Sequence, residues 1–207
     1  MAGRSSPLSI SQTLLINIGE STNNAPTAKG LLAELGSIIE GTSSVNIAGN
    51  TISALFSGLF EDNGKDQFAG VAFVGNTTVQ SQGVWQYKAA NSGSWLDIPT
   101  ISEGNPFILL KDASVRFAPT KTFSGSPGTL DARLLESSRP WTTGYLATGD
   151  VLAVGGFGSA SGDVVKLKTT ITAVPKSPTA LTLASAAGVP IAASSTPFAT
   201  ATGFDPD

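Results

Sequence analysis

The chain has 207 residues, enough for one large domain with a substantial core, yet only 13% are charged and the formal net charge is −3. It contains neither Cys nor His, which excludes disulfides, thiol chemistry, Cys- or His-ligated metals, Ser–His–Asp catalysis and a titration switch near neutral pH. The acidic balance without a Lys/Arg-rich stripe argues against nucleic acid, and no run is apolar enough to insert in a membrane.

Met1–Ser6 lacks the apolar run of a signal peptide, so an exported protein would carry its signal elsewhere on a longer chain. Leu8–Ile18 alternate as a first strand, and Asn23–Thr27 form a loop. Leu31, Leu32, Leu35, Ile38 and Ile39 recur at helical spacing, with Glu34 and Ser37 on the other side. Thr27 is available as a cap and Gly41 as a terminator, so the pattern predicts a short helix over residues 28–40 plugging one end of the fold. Residues 45–60 read as another strand. They lead into Glu61-Asp62-Asn63-Gly64-Lys65-Asp66, a loop whose hard oxygen donors suit calcium. It lacks EF-hand spacing, and the same residue types also make an ordinary solvated turn.

Residues 68–136 organise the chain. Val71 and Phe73 alternate with Ala72 and Val74, Trp85 and Tyr87 with Val84 and Gln86, and Val115 and Phe117 flank Arg116. Period-two runs punctuated by Gly, Pro and Asn are the pattern of half-buried strands. The expected fold is all-β, an antiparallel Greek-key β-sandwich with one short accessory helix. Its core should hold Phe73, Trp85, Trp95, Val115, Phe117, Leu130 and Leu134. Asn91–Ser94 and Lys111–Ser114 are expected to turn hairpins. Arg116 and Arg133 both point outward by alternation and together suit a carboxylate. The duller reading pairs Arg133 with Asp131 or another surface acid.

Residues 137–162 break the strand rhythm and carry Trp141, Tyr145 and Phe157 among glycines, with Gly155, Gly156 and Gly158 permitting close backbone approach. They either lid the core or wall a binding site. Residues 163–174 return to alternation, and the tail contains one strand-like run, residues 179–185, before ending Asp205-Pro206-Asp207. The organisation expected is residues 1–44 packed on the sandwich, 45–176 as its core, and 177–207 as a final strand and tail of the same domain.

The order GVWQYK, SGSWLDIP, FILLKDASVRFAP and FSGSPGTLDARLLES resembles a cadherin-like module of giant bacterial RTX-type surface adhesins. The stretch FEDNGKDQFAGVA and the flanks NNAPT and ITAVPKSPT are similar to that family's module start and linkers. The likeness covers residues 55–175, with Asn24 standing where the family's linker carries an acid. Within the family the long 137–162 excursion is most similar to calcium-dependent peptide-binding domains. The resemblance implies an extracellular, cell-surface location within a longer secreted chain and a Ca2+ cofactor. The partners it implies are the free C-terminal peptide of a host or neighbouring-cell protein and adjacent modules of the same adhesin. A stiff calcium-rigidified spacer is the alternative; an enzyme is not expected, since nothing marks a nucleophile.

Candidate metal ligands are Asp62, Asp66, Asp112 and Glu136, chosen at strand ends and turns. Alternation would set the 61–66 loop and the 112/136 region at opposite ends. Candidate ligand-binding residues are Arg116, Arg133, Trp141, Tyr145 and Gly156. The terminal Asp205-Pro206-Asp207 itself resembles a ligand and is expected either to dock in a neighbouring molecule or to pack as an extra strand.

Overall fold

A computed structural model of the chain describes residues 23–175. The strand expected over Leu8–Ile18, the 179–185 segment and the Asp205–Asp207 tail lie outside the described residues. In chain order the strands are β1 (Thr27–Ala28), β2 (Leu32–Ile39), β3 (Asn50–Thr51), β4 (Phe60–Glu61), β5 (Phe68–Asn76) and β6 (Gly83–Lys88). They continue with β7 (Leu96–Asp97), β8 (Phe107–Leu110), β9 (Ser114–Pro119), β10 (Leu130–Glu136), β11 (Gly144–Tyr145) and β12 (Val165–Thr172). One short helix, α1 (Ile52–Phe56), interrupts them.

The protein is an all-β sandwich. One sheet has the order β11-β8-β5-β10-β12-β2 and the other β3-β9-β6-β7, with β1 and β4 paired separately. Val71, Phe73, Leu130, Ala132, Leu134, Val165 and Leu167 from the first meet Trp85, Val115 and Phe117 from the second in one buried cluster. The rings of Trp85 and Phe117 meet edge-on with centroids 5.1 Å apart, a favoured aromatic geometry. Trp95 departs from the expected core. It lies half-buried outside it, with the Arg116 guanidinium 4.2 Å and the Lys88 ammonium 5.1 Å from its ring centroid.

Two secondary-structure expectations are corrected. Residues 28–40 are not a helix: Leu32–Ile39 form β2, which pairs with β12 in parallel, the one parallel pairing among the described strands. The register slips between Lys168 and Thr170, opposite Gly36, whose φ of +92° suits glycine. That extra residue resets the alternation, so Ala33, Leu35 and Ile38 all face the core. The resulting spacing of two and then three imitates a helical stripe. Thr169, buried on β12, donates its hydroxyl to Gly36 O at 2.5 Å and secures the irregularity.

The helix stands instead within the stretch expected to be a strand. Thr51 caps α1 by accepting the Ala54 N–H at 3.1 Å, and Ile52 and Phe56, four residues apart, are both fully buried. Its first turn also fastens the 111–113 segment, because Ile52 N–H donates to Ala113 O and Ser53 N–H to Lys111 O, each at 2.8 Å. That segment is no hairpin. It joins β8 in one sheet to β9 in the other, an arch over the end of the sandwich.

The outer face of β5 is also buried, contrary to simple alternation. Ala72 and Val74 pack with Ile108, Leu135, Leu152 and Ala160, and Trp141 and Leu146 lie against them. The 137–162 excursion therefore covers the outer face of the larger sheet, which is why β5 reads GVAFV with both faces apolar.

Arg116 is outward on β9 yet buried, beneath the 44–49 loop. Its guanidinium donates to Ser44 O at 2.6 Å, Ile47 O at 2.9 Å and Gln86 Oε1 at 2.9 Å. Arg116→Ala is expected to destabilise the fold by ~2–3 kcal/mol, since it removes the stack on Trp95 and strands two carbonyls. Urea unfolding checks this, and a stability unchanged by the substitution would contradict the structural role.

Candidate metal centre and neighbouring groove

β10 delivers Glu136 inward by the same alternation that buries Leu130, Ala132 and Leu134, and a bulge between Leu135 and Glu136 sets it opposite Phe68. Glu136 is fully buried. Its Oε1 accepts the side-chain N–H of Asn23 and, at 2.8 Å, the Ser138 hydroxyl. Its Oε2 has no hydrogen-bond partner, and neither has the buried Oδ2 of Asp62. Burial, then the facing carboxyl of Asp62, raise the Glu136 carboxyl above its ordinary value of 4.5. Two buried orphan oxygens on facing carboxyl groups are an arrangement that a cation or a shared proton completes.

The surrounding donors are oxygen-rich. Asn23 Nδ2 also reaches Gly158 O at 2.9 Å and Phe157 O at 3.5 Å, bringing two backbone carbonyls beside the pair. Turning the Asn23 amide over would present Oδ1 in place of the N–H. Asp66 is not joined to the pair but to the residue after Glu136: the Ser137 Oγ donates to Asp66 Oδ1 at 3.1 Å and accepts the Gln67 N–H at 2.9 Å. Asp62 Oδ1 is committed to the Gly64 N–H, which closes the loop as a turn. Among the described residues no three or more acids gather closely enough to ligate a metal together. An ion here would bind Asp62 and Glu136 and complete its shell with carbonyl, amide and water oxygens, a donor set that fits calcium.

Asp62, Asp66 and Glu136 are thus at one end of the sandwich, and the expectation of opposite ends is wrong. β10 finishes where β5 begins, so Glu136 meets the loop preceding Phe68. Asp112 sits on the arch at this end too, because Gly70 pairs with Leu110 and the Lys111 N–H reaches Ala69 O. It is exposed and apart from the carboxyl pair, facing a surface groove.

Trp141 organises that groove. Its indole N–H donates to Glu136 O at 2.7 Å, Arg139 lies 4.5 Å from its ring centroid, and it lines cavities of about 630, 300 and 180 Å3. Tyr145 shares the smallest of these and donates its hydroxyl to Thr100 O at 2.7 Å. Gly156, in left-handed conformation at φ +55°, accepts the Ala25 N–H at 2.8 Å. It therefore holds the incoming chain beside the carboxyl pair and does not line the groove.

The two arginines do not form a clamp. Arg116 and Arg133 lie on the outer faces of different sheets, and each is already engaged. Arg133 forks onto Glu103, at 3.1 and 2.7 Å, and donates to Ser161 O and Gly162 O. Asp131, the acid weighed as its partner, instead binds Lys166 at 3.0 Å. Asn23 and Ser138 escaped sequence reasoning as site residues, with the position of Asn23 in the linker-like Asn-Asn-Ala-Pro run as the one signal. Gly158 was singled out for close backbone approach but not as a neighbour of the carboxyl pair. Comparison with protein-family models, curated proteins and solved structures returned no match.

Proposed function

We propose that this chain is a calcium-dependent ligand-binding module of a bacterial surface adhesin, taking a peptide end of a partner protein in the groove around Trp141. The observation that carries this reading is the pair of orphan oxygens, Asp62 Oδ2 and Glu136 Oε2, buried one hydrogen bond away from the groove. A calcium ion between them relieves the repulsion that otherwise favours a proton, and it draws Asn23, the 61–66 loop and the Glu136–Trp141 segment onto one centre. The ion then sets the groove wall, because Trp141 hangs on the backbone oxygen of Glu136. The residue resemblance supplies the adhesin context and the extracellular location.

The test is a calcium titration of the EDTA-treated chain by calorimetry, with Trp fluorescence recorded in parallel. One strong site is expected, with an emission change that Trp141→Phe diminishes, and both Asp62→Asn and Glu136→Gln should remove the heat. Absence of binding in the wild-type chain would overturn the reading.

A second reading, a calcium-rigidified spacer, has its own supporting observation. The chain comes in beside Glu136 at Asn23, while β2 and β12 both run away from that end. It leaves at Val174, whose N–H donates to Glu40 Oε2 at 3.2 Å. Described residues that begin and end at opposite poles suit a string of modules, and an ion that ties Asn23 to the sandwich would stiffen the joint. A module that binds calcium yet shows no ligand in its groove would leave the spacer.

A further inference from the structure

We propose that the largest cavity of the groove receives a cationic side chain, lysine or arginine, from an extended peptide of the partner protein. The inference rests on the ligand-binding reading and adds the chemistry of the ligand. This cavity, about 630 Å3, has the size of an ordinary ligand pocket. Of the residues lining it, Asp112 alone carries a charge, and Asn91, Ser92 and Thr143 add neutral hydrogen-bonding groups. None of the ion pairs among the described residues uses Asp112. Leu110 and the Trp141 ring supply apolar wall for the methylene stem of a long basic side chain.

The backbone that carries this carboxylate is also held in place. The arch that carries it is pinned by four backbone hydrogen bonds: Ile52 N–H to Ala113 O, Ser53 N–H to Lys111 O, Lys111 N–H to Ala69 O and Ala113 N–H to Leu110 O. A preorganised backbone loses little entropy when a ligand docks, so the ion pair is not spent on ordering the loop. The adjoining cavity of about 300 Å3 has the opposite balance. Lys111, which is in no ion pair among the described residues, and Arg139, which pairs with Asp150 at 3.6 Å, line it with Asp112 as the one acid. A peptide crossing Trp141 therefore meets an acidic pocket and then a basic one. The cation belongs in the first and a ligand carboxylate in the second. Charge complementarity of this kind selects the order of residues in the partner more than it adds raw affinity.

The test compares acetyl-Ala-Lys-Ala-Asp with acetyl-Ala-Gln-Ala-Asp, both with free C-termini, on the full chain with calcium present. Amide shifts of residues 89–92, 111–113 and 141–143 report binding. The lysine peptide is expected to bind about fivefold tighter at low salt, the scale of one partly exposed ion pair, with the advantage shrinking as salt is raised. In Asp112→Asn the two peptides should bind equally, and because the arch is held through its backbone this variant keeps its fold and its calcium affinity. Equal affinity of the two peptides for the wild-type chain, or a lysine preference that survives Asp112→Asn, overturns the assignment. If neither peptide moves these amides at millimolar concentration while calcium still binds, the ligand-binding reading fails and this inference with it.

Discussion

Calcium at a hundredfold excess over its dissociation constant is expected to raise the melting temperature by ~5–10 °C, and Glu136→Gln should abolish that rise. One ion binding only the folded chain at this excess adds about 2.7 kcal/mol, and each kcal/mol shifts a domain of this size by about 2–4 °C. The pH dependence has a definite sign. Glu136 has its carboxyl raised in the folded state, so above 4.5 the folded chain holds more protons than the unfolded one. Stability of the calcium-free protein therefore falls as pH rises from 4.5 through the raised value. With calcium the trend reverses over the same window, because the ion needs both carboxylates deprotonated. Glu136→Gln should flatten both trends. Thermal scans in EDTA and in calcium between pH 4.5 and 8 check this, and scans that superimpose at every pH would exclude an ion at Glu136.

Trp85→Ala is expected to cost ~3–5 kcal/mol, the largest effect of any single core truncation here. Trp85 is 2% exposed and touches both sheets through the shared cluster. Its indole N–H is shared between Thr78 Oγ1 at 2.9 Å and Gly128 O at 3.2 Å. Gly128 accepts no side chain, because a Cβ there would stand 2.3 Å from the Thr77 and Thr78 backbone. The hole left by alanine has no way to close from that side. Trp85→Phe keeps most of the ring and loses the N–H bonds, so a smaller loss of about 1–2 kcal/mol is expected. Urea unfolding should show the midpoint falling in this order with the slope unchanged. A Trp85→Ala midpoint equal to that of Trp85→Phe would mean that packing around the ring is loose.

The β architecture was legible because alternation is a short-range signal. Val71 and Phe73, Val115 and Phe117, and Leu130, Ala132 and Leu134 need only a flat neighbour to bury them, and any sandwich provides one. The lack of Cys and His limited a metal site to oxygen ligands; the four acids singled out lie at one end of the sandwich, but of them only Asp62 and Glu136 face each other. Three features misled. Gly36 adds a residue to β2 and turns a spacing of two into one that imitates a helix. The lid over Ala72 and Val74 hid that both faces of β5 are apolar. Arg116 is polar and outward on its strand, yet a loop from far upstream folds over it.

Each of those features depends on a partner distant in the chain, and so does the carboxyl pair. The residues alone determined that the chain is a β-sandwich without thiol or imidazole chemistry, with oxygen donors in its turns and an aromatic excursion after its last organising strand. Tertiary structure decided which donors meet. Asp62 and Glu136 are 74 positions apart in the chain and face each other only because β5 and β10 run antiparallel in the register that sets Phe68 opposite Glu136. Asn23 reaches Glu136 because the incoming chain is held on Gly156. A strand's period tells which way a side chain points, and the pairing register, summed over many weak contacts along the sheet, tells what it points at.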